Sequence, residues 1–236
     1  MRNHSLWFCA LFAIYSVISP GFPLVSAESN SRQQVNIRHA ARSIQPGEVV
    51  RVIVESERFL MKVQAEFEGR VFLGYPTATS KRWDILVGLD LMVEPSTREL
   101  AVEGAYKDGG TFKTLYELNI KDKQFPTRRL TVAAKFVNPP KESLKKIRED
   151  SQRTGQIFKS ITPTRFWSGP FESPVPGATT SGFGKRSILN GVSRSPHSGT
   201  DFRATTGTLI KSPNSGKVAL VDNLYYSGNT VILDHG

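Results

Sequence analysis

The stretch Arg194-Ser195-Pro196-His197-Ser198-Gly199-Thr200-Asp201 decides how the C-terminal part of this chain is read. It places one of only four histidines ahead of a carboxylate, with three residues between them and a glycine among the three. A neutral imidazole and a carboxylate are two of the ligand types that zinc takes in catalytic sites. Pro196 and Gly199 both oppose a helix. A fully extended strand would hold the two Cα atoms roughly 13 Å apart. For both side chains to reach one metal ion, the chain must bend near Ser198-Gly199, and glycine permits that. Taken alone, His-x-x-x-Asp is a weak signal, since a loop histidine beside a surface aspartate reads the same way.

The flanks add to it. Upstream stand Thr180-Ser181-Gly182-Phe183-Gly184-Lys185-Arg186 and then Asn190-Gly191. Downstream stand Gly207-Thr208-Leu209-Ile210, Gly216-Lys217-Val218 and the run from Gly228 through Thr230-Val231-Ile232-Leu233-Asp234-His235 to Gly236. In this order and spacing they resemble the start of a LytM-type (M23) zinc metallopeptidase domain, from about Pro174 to the last residue. That family cleaves the peptide cross-links of bacterial peptidoglycan.

The resemblance implies Zn2+ as cofactor and His197 and Asp201 as metal ligands. It places Asn190 in a substrate-binding position and Arg186 near the groove. Arg186 reads somewhat better as loop structure, and Gly182 and Gly184 read as backbone turns. No catalytic residue is assigned. In the family, a Tyr-x-His-Leu-like stretch and a His-x-His motif follow the segment matched by Asn229 to Gly236. They supply the catalytic histidines and the third ligand. The expectation is therefore a truncated domain, inactive as this chain, with an incomplete zinc site. His235 reads as a strand-end residue, not a ligand. His39 falls in another domain and His4 in the leader. The alternative is a non-catalytic LytM-like module that binds peptidoglycan or activates another hydrolase. A β-sandwich adhesin is a third reading, but it leaves the surroundings of His197 unexplained.

Residues 1–27 read as a signal peptide. Arg2 supplies the positive start, Leu6 to Ile18 an apolar run, and Val25-Ser26-Ala27 a small-residue cleavage site. The run is short of the ~20 residues that span a bilayer, so no transmembrane anchor is expected in the mature chain. Cys9, the single cysteine, lies in this leader, with Phe8 before it where a lipoprotein signal needs a small residue. The mature chain therefore has neither disulfides nor thiolate ligands. A periplasmic or secreted location follows.

The whole chain carries +10, and loss of Arg2 with the leader leaves 30 basic against 21 acidic residues, or +9. Such an excess reads equally well as an aid to solubility alone and as a means of speeding encounter with polyanions. In an exported protein these are cell-wall or lipid anions, with peptidoglycan the implied partner. Nucleic acid is excluded by compartment and by the lack of an aromatic-basic RNA motif.

Residues 35–138 read as strands. Val50, Val52 and Val54 share one face, and Leu100, Val102, Gly104 and Tyr106 alternate with Ala101, Glu103 and Ala105. Tyr116, Leu118 and Ile120 alternate likewise, as do Leu130, Val132, Ala134 and Phe136. Period-2 alternation marks strands with one buried face. Trp83 reads as a core or rim residue. Seven or so such strands suggest an Ig-like β-sandwich.

Pro139-Pro140 ends that unit, and Lys141 to Lys159 reads as a short, largely solvated linker helix. Ile161 to Gly177 reads as an extended connector. Leu209-Ile210, Val218 to Val221 and Thr230 to Leu233 read as strands. The expected fold class is all-β. It comprises an Ig-like β-sandwich at 35–138, a linker with a short helix at 139–177, and an incomplete LytM-type β-sheet domain at 178–236.

If the leader is cleaved after Ala27, mass spectrometry of the protein recovered from its host finds Glu28 at the N-terminus. Recovery of intact Met1 in cytosolic protein would refute export.

Overall fold

A computed structural model describes residues 35–77, 79–131 and 139–236. The expected signal peptide and the strand positions Val132, Ala134 and Phe136 lie outside the described residues.

Seven antiparallel strands form the N-terminal half: β1 (Val35–Ala40), β2 (Val49–Ser56), β3 (Leu60–Phe67), β4 (Arg70–Pro76), β5 (Arg82–Gly88), β6 (Ser96–Tyr106) and β7 (Thr111–Ile120). Their order is β1-β2-β5-β4-β3-β6-β7. Strand β4 changes partner along its length. Residues 70–73 pair with β3, and residues 74–76 pair with β5. The sheet thus folds over at β4 into two leaves, β1-β2-β5-β4 and β3-β6-β7, the strand arrangement of an immunoglobulin constant-type sandwich. At the far rim His39 of β1 meets Tyr116 of β7, with Nδ1 2.6 Å from the hydroxyl, so the sheet nearly closes.

The expected period-2 faces supply the core. Val50, Val52, Val54, Ile85 and Val87 from one leaf meet Leu60, Val63, Ala65, Leu100, Val102, Leu118 and Ile120 from the other, all at 2% exposure or less. Trp83 joins them as a core residue and donates its indole N–H to the Ser80 carbonyl at 3.1 Å. Ile53 is buried on the opposite face, in the cross-strand row Arg38, Ile53, Asp84, Tyr75.

A short 3-10 turn (Lys141–Ser143) leads into α1 (Leu144–Lys159), the expected helix, whose only buried residue is Asp150. Asp150 accepts hydrogen bonds from Arg153 Nη2 at 2.9 Å and from the Tyr225 backbone N–H at 2.8 Å. Tyr225 lies in the turn between β13 (Lys217–Leu224) and β14 (Gly228–Asp234). Lys146 donates to the Asn223 carbonyl at 2.8 Å, and Arg153 also pairs with Asp222. The helix is thereby fastened to the hairpin by charge-assisted bonds, the stronger kind.

The remaining strands are short: β8 (Thr127–Leu130), β9 (Thr179–Ser181), β10 (Arg186–Leu189), β11 (Val192–Ser193) and β12 (Asp201–Phe202). Leu130 was expected in the N-terminal sandwich. Instead β8 runs parallel to β10 and ties the end of the sandwich to the C-terminal part. Leu209-Ile210 was expected as a strand and forms none; the two side chains are 84% and 80% exposed. Beside them only two backbone bonds are made, Thr208 N–H to the Thr205 carbonyl and Lys211 N–H to the Pro174 carbonyl, too few for a ladder. The connector after α1 packs as expected. Phe166 N–H bonds the His235 carbonyl, Glu172 N–H bonds the Pro213 carbonyl, and Arg165 stacks on Tyr75 and Trp167.

Leu118→Ala leaves a cavity between the leaves and should cost about 2–5 kcal/mol in chemical denaturation. The carboxyl of Asp150 is held below its ordinary range, chiefly by the Tyr225 N–H and further by Lys146 and Arg153, against a contrary effect of desolvation. A carboxyl depressed in the folded state adds stability above its unfolded pKa of about 4, and this is lost as pH falls through the lower folded value. Asp150→Asn should lower the melting temperature at neutral pH and flatten its decline below about pH 4. An unchanged pH profile in thermal melts would rule out this anchor.

Candidate metal site

The site begins with a turn. After β9, residues 182–185 reverse the chain into β10, with Gly184 at φ +81°. The segment leading from β11 then runs back alongside. Arg194 N–H bonds the Ser187 carbonyl at 2.9 Å, His197 N–H bonds the Lys185 carbonyl at 3.0 Å, and Gly184 N–H bonds the His197 carbonyl at 2.8 Å. His197 is therefore gripped by its backbone on both sides. Beyond it the chain bends through Ser198-Gly199, as the spacing required, and re-enters order as β12, paired with β9.

The bend brings the two expected ligands together. His197 Nε2 lies 3.3 Å from Asp201 Oδ1. The other ring nitrogen, Nδ1, is 3.1 Å from the Gly182 carbonyl oxygen. A carbonyl only accepts, so this bond makes Nδ1 a protonated nitrogen, and in the neutral ring the Nε2 lone pair then faces the carboxylate. Two electron-rich donors then face each other, an arrangement that a shared cation stabilises. Zinc bonds to nitrogen and carboxylate oxygen at about 2.0–2.2 Å, which makes the edge of its tetrahedron about 3.3 Å. The observed separation matches that edge. The outward N–H held by a backbone carbonyl is also what a metal-bound histidine requires of its surroundings. The residues present fit zinc as two ligands. Among the described residues, no group of three or more His, Cys, Asp or Glu side chains could hold a metal ion.

Asn190 occupies the tip of the β10–β11 hairpin. With φ +50°, followed by Gly191 at +80°, it forms the two-residue loop typical of hairpins. Arg186 is exposed on β10, its N–H bonded to the Pro126 carbonyl. His235 is engaged elsewhere. Its Nδ1 is 2.8 Å from the Ser215 carbonyl and its ring packs edge-on against Phe171 at 5.0 Å. His39 belongs to the sandwich rim. The Gly182 carbonyl is the functional atom that sequence reasoning missed, because a backbone oxygen leaves no signature in residue type.

An imidazole and a carboxylate thus converge behind an immunoglobulin-type sandwich. Residues 195–236 match the family model of Peptidase family M23, and these include both His197 and Asp201. The chain is also similar to a crystal structure assigned to peptidase M23 from Pseudomonas aeruginosa. The identity is 25% and the TM-score 0.59, over 82% of this chain and 70% of that one. No curated protein matches it by sequence. A C-terminal segment of the chain is thus similar to the M23 family, as the resemblance implied, and the family match and the fold support a peptidase-type function. No helix among the described residues is long and apolar enough to cross a membrane.

Proposed function

We propose that this protein is an exported zinc metalloendopeptidase of the M23 type whose substrate is the cross-link peptide of peptidoglycan. The observation that carries the reading is the convergence of His197 Nε2 and Asp201 Oδ1 with Nδ1 fixed on the Gly182 carbonyl. His197 and Asp201 hold the metal. Zinc, when bound, polarises a peptide carbonyl and makes water acidic enough to attack near neutral pH. Asn190 meets the substrate from the hairpin tip, where its amide can both donate and accept.

Charge supports a wall substrate. Between residues 173 and 221 the chain holds Lys185, Arg186, Arg194, Arg203, Lys211 and Lys217, against Asp201 as the sole acid. A segment with this excess of cations draws in peptides that bear free carboxylates. The leader supports export.

The two-ligand description also bears on activity. Catalytic zinc sites use three protein ligands and an open position. The described residues bring together two, and two ligands hold zinc less well than three, so weak zinc binding is expected of His197 and Asp201 as a pair. That same observation favours the second reading, a non-catalytic module that binds peptidoglycan or activates a hydrolase.

Isothermal titration of the 236-residue protein with Zn2+, alongside peptidoglycan sedimentation and dye-release assays, separates these readings. Weak zinc binding, co-sedimentation and no dye release are expected. His197→Ala should weaken zinc binding by more than about 100-fold, beyond what loss of an outer partner costs. Zinc affinity indifferent to both His197→Ala and Asp201→Ala would overturn the ligand assignment. Zinc-dependent release by the chain itself would show that the two-ligand description is too small.

A further inference from the structure

The turn that holds His197 is itself held by the N-terminal sandwich. Gly47, in the turn before β2, has φ +79° and lies under the ring of Phe183; a Cβ there would sit 2.7 Å from Phe183 Cε1 and 2.9 Å from Leu91 Cδ2. On the next residue of the same turn, Gly184 is buried against the ring of Phe125, and a Cβ there would overlap that ring outright. Phe125 follows β7, and the Lys123 ammonium lies 5.2 Å from its ring centre. Two rings and two missing side chains thus interlock the ends of the sandwich with residues 183 and 184.

The sandwich side of this lock is braced. Gly47 N–H bonds the Leu89 carbonyl at 3.0 Å, and Leu89 N–H returns to the Glu48 carbonyl at 2.9 Å. Glu48 is buried, bonded to Arg42 at 2.8 Å and to Lys123 at 2.7 Å. The other side is the metal site, since Gly182 carries the carbonyl that takes the His197 Nδ1–H, and Gly184 and Lys185 bond the His197 backbone.

Resting on the metal-site reading above, we propose that Phe183 is a positioning residue, clamped on Gly47 of the N-terminal β domain, that fixes the Gly182 carbonyl and through it the Nδ1–H tautomer and aim of His197. The β domain is then part of the metal site without contributing a ligand. A displacement of the Gly182 carbonyl by even 1 Å away from His197 is enough to lengthen the 3.1 Å bond out of range.

The test uses the whole chain and two variants that disturb the clamp from opposite sides. Phe183→Ala removes a ring that is 44% exposed, so it spares the core. Gly47→Ala pushes the ring from below. Long-range 15N–1H NMR of the neutral His197 ring should show Nδ1–H alone in the unaltered protein and a mixture with Nε2–H in both variants. Co2+ affinity, read from its visible absorption, should fall about tenfold or more, the usual cost of losing an outer partner. Phe183→Tyr should restore both signals. A melting temperature unchanged by Phe183→Ala separates this role from a structural one. An undisturbed Nδ1–H tautomer in both variants overturns the inference. If His197→Ala leaves Co2+ affinity untouched, the metal reading fails instead, while the tautomer measurement still decides the clamp.

Discussion

The C-terminal part of this chain has almost no apolar core of its own, and everything about its site follows from that. Of the buried apolar side chains among the described residues, only Val175 and Leu224 lie beyond residue 120. A two-stranded hairpin such as β13–β14 is marginal alone in water. Its ladder bonds replace bonds to water and each contributes only about 1 kcal/mol net. Placement must therefore come from outside the segment. It comes from the ring-on-glycine contacts at residues 47 and 184, from the parallel β8–β10 pairing, and from Asp150 gripping the hairpin turn.

Much of the sandwich was legible because alternation reports burial directly. Val50, Val52 and Val54 could hardly face water together, nor could Leu100 and Val102, and the structure buries all five. Strand pairing was not legible. The partner change within β4 depends on how two leaves fold over each other, which no local pattern records. The β3–β4 hairpin turns on Glu68-Gly69, at φ +49° and +71°, and a Glu-Gly pair is a weaker turn signal than Asn-Gly. Of the alternating run that begins at Leu130 only Leu130 itself lies in β8, so the pairing of β8 with β10 had to be seen. Leu209-Ile210 looks like a strand by composition, yet β propensity expresses packing against neighbours, and none of the described strands is a neighbour there.

The candidate site divides in the same way. The meeting of His197 and Asp201 was legible because the bend between them is written in Ser198-Gly199. What orients His197 was not. The Gly182 carbonyl and the backbone grip from Gly184 and Lys185 leave no mark in residue type, and the clamp proposed for Phe183 reaches Gly47, 136 positions earlier. A glycine in a turn looks identical in sequence whether it needs a positive φ, as Gly184 does, or lends a carbonyl, as Gly182 does.

The charge around the site adds a final constraint. In the proposed function, cations that would gather anionic wall peptides would also repel a divalent metal, and the proposed ligand pair includes the only acid between residues 173 and 221. Screening limits the conflict, because beyond about 8 Å exposed charges barely interact at physiological salt. Within that distance the two ligands must supply the affinity themselves. A flexible pair would spend part of it on ordering. Fixing the His197 ring in advance removes that cost, and a site with few ligands and a cationic rim gains most from being fixed. The clamp by the β domain therefore sits where the electrostatics leave least to spare.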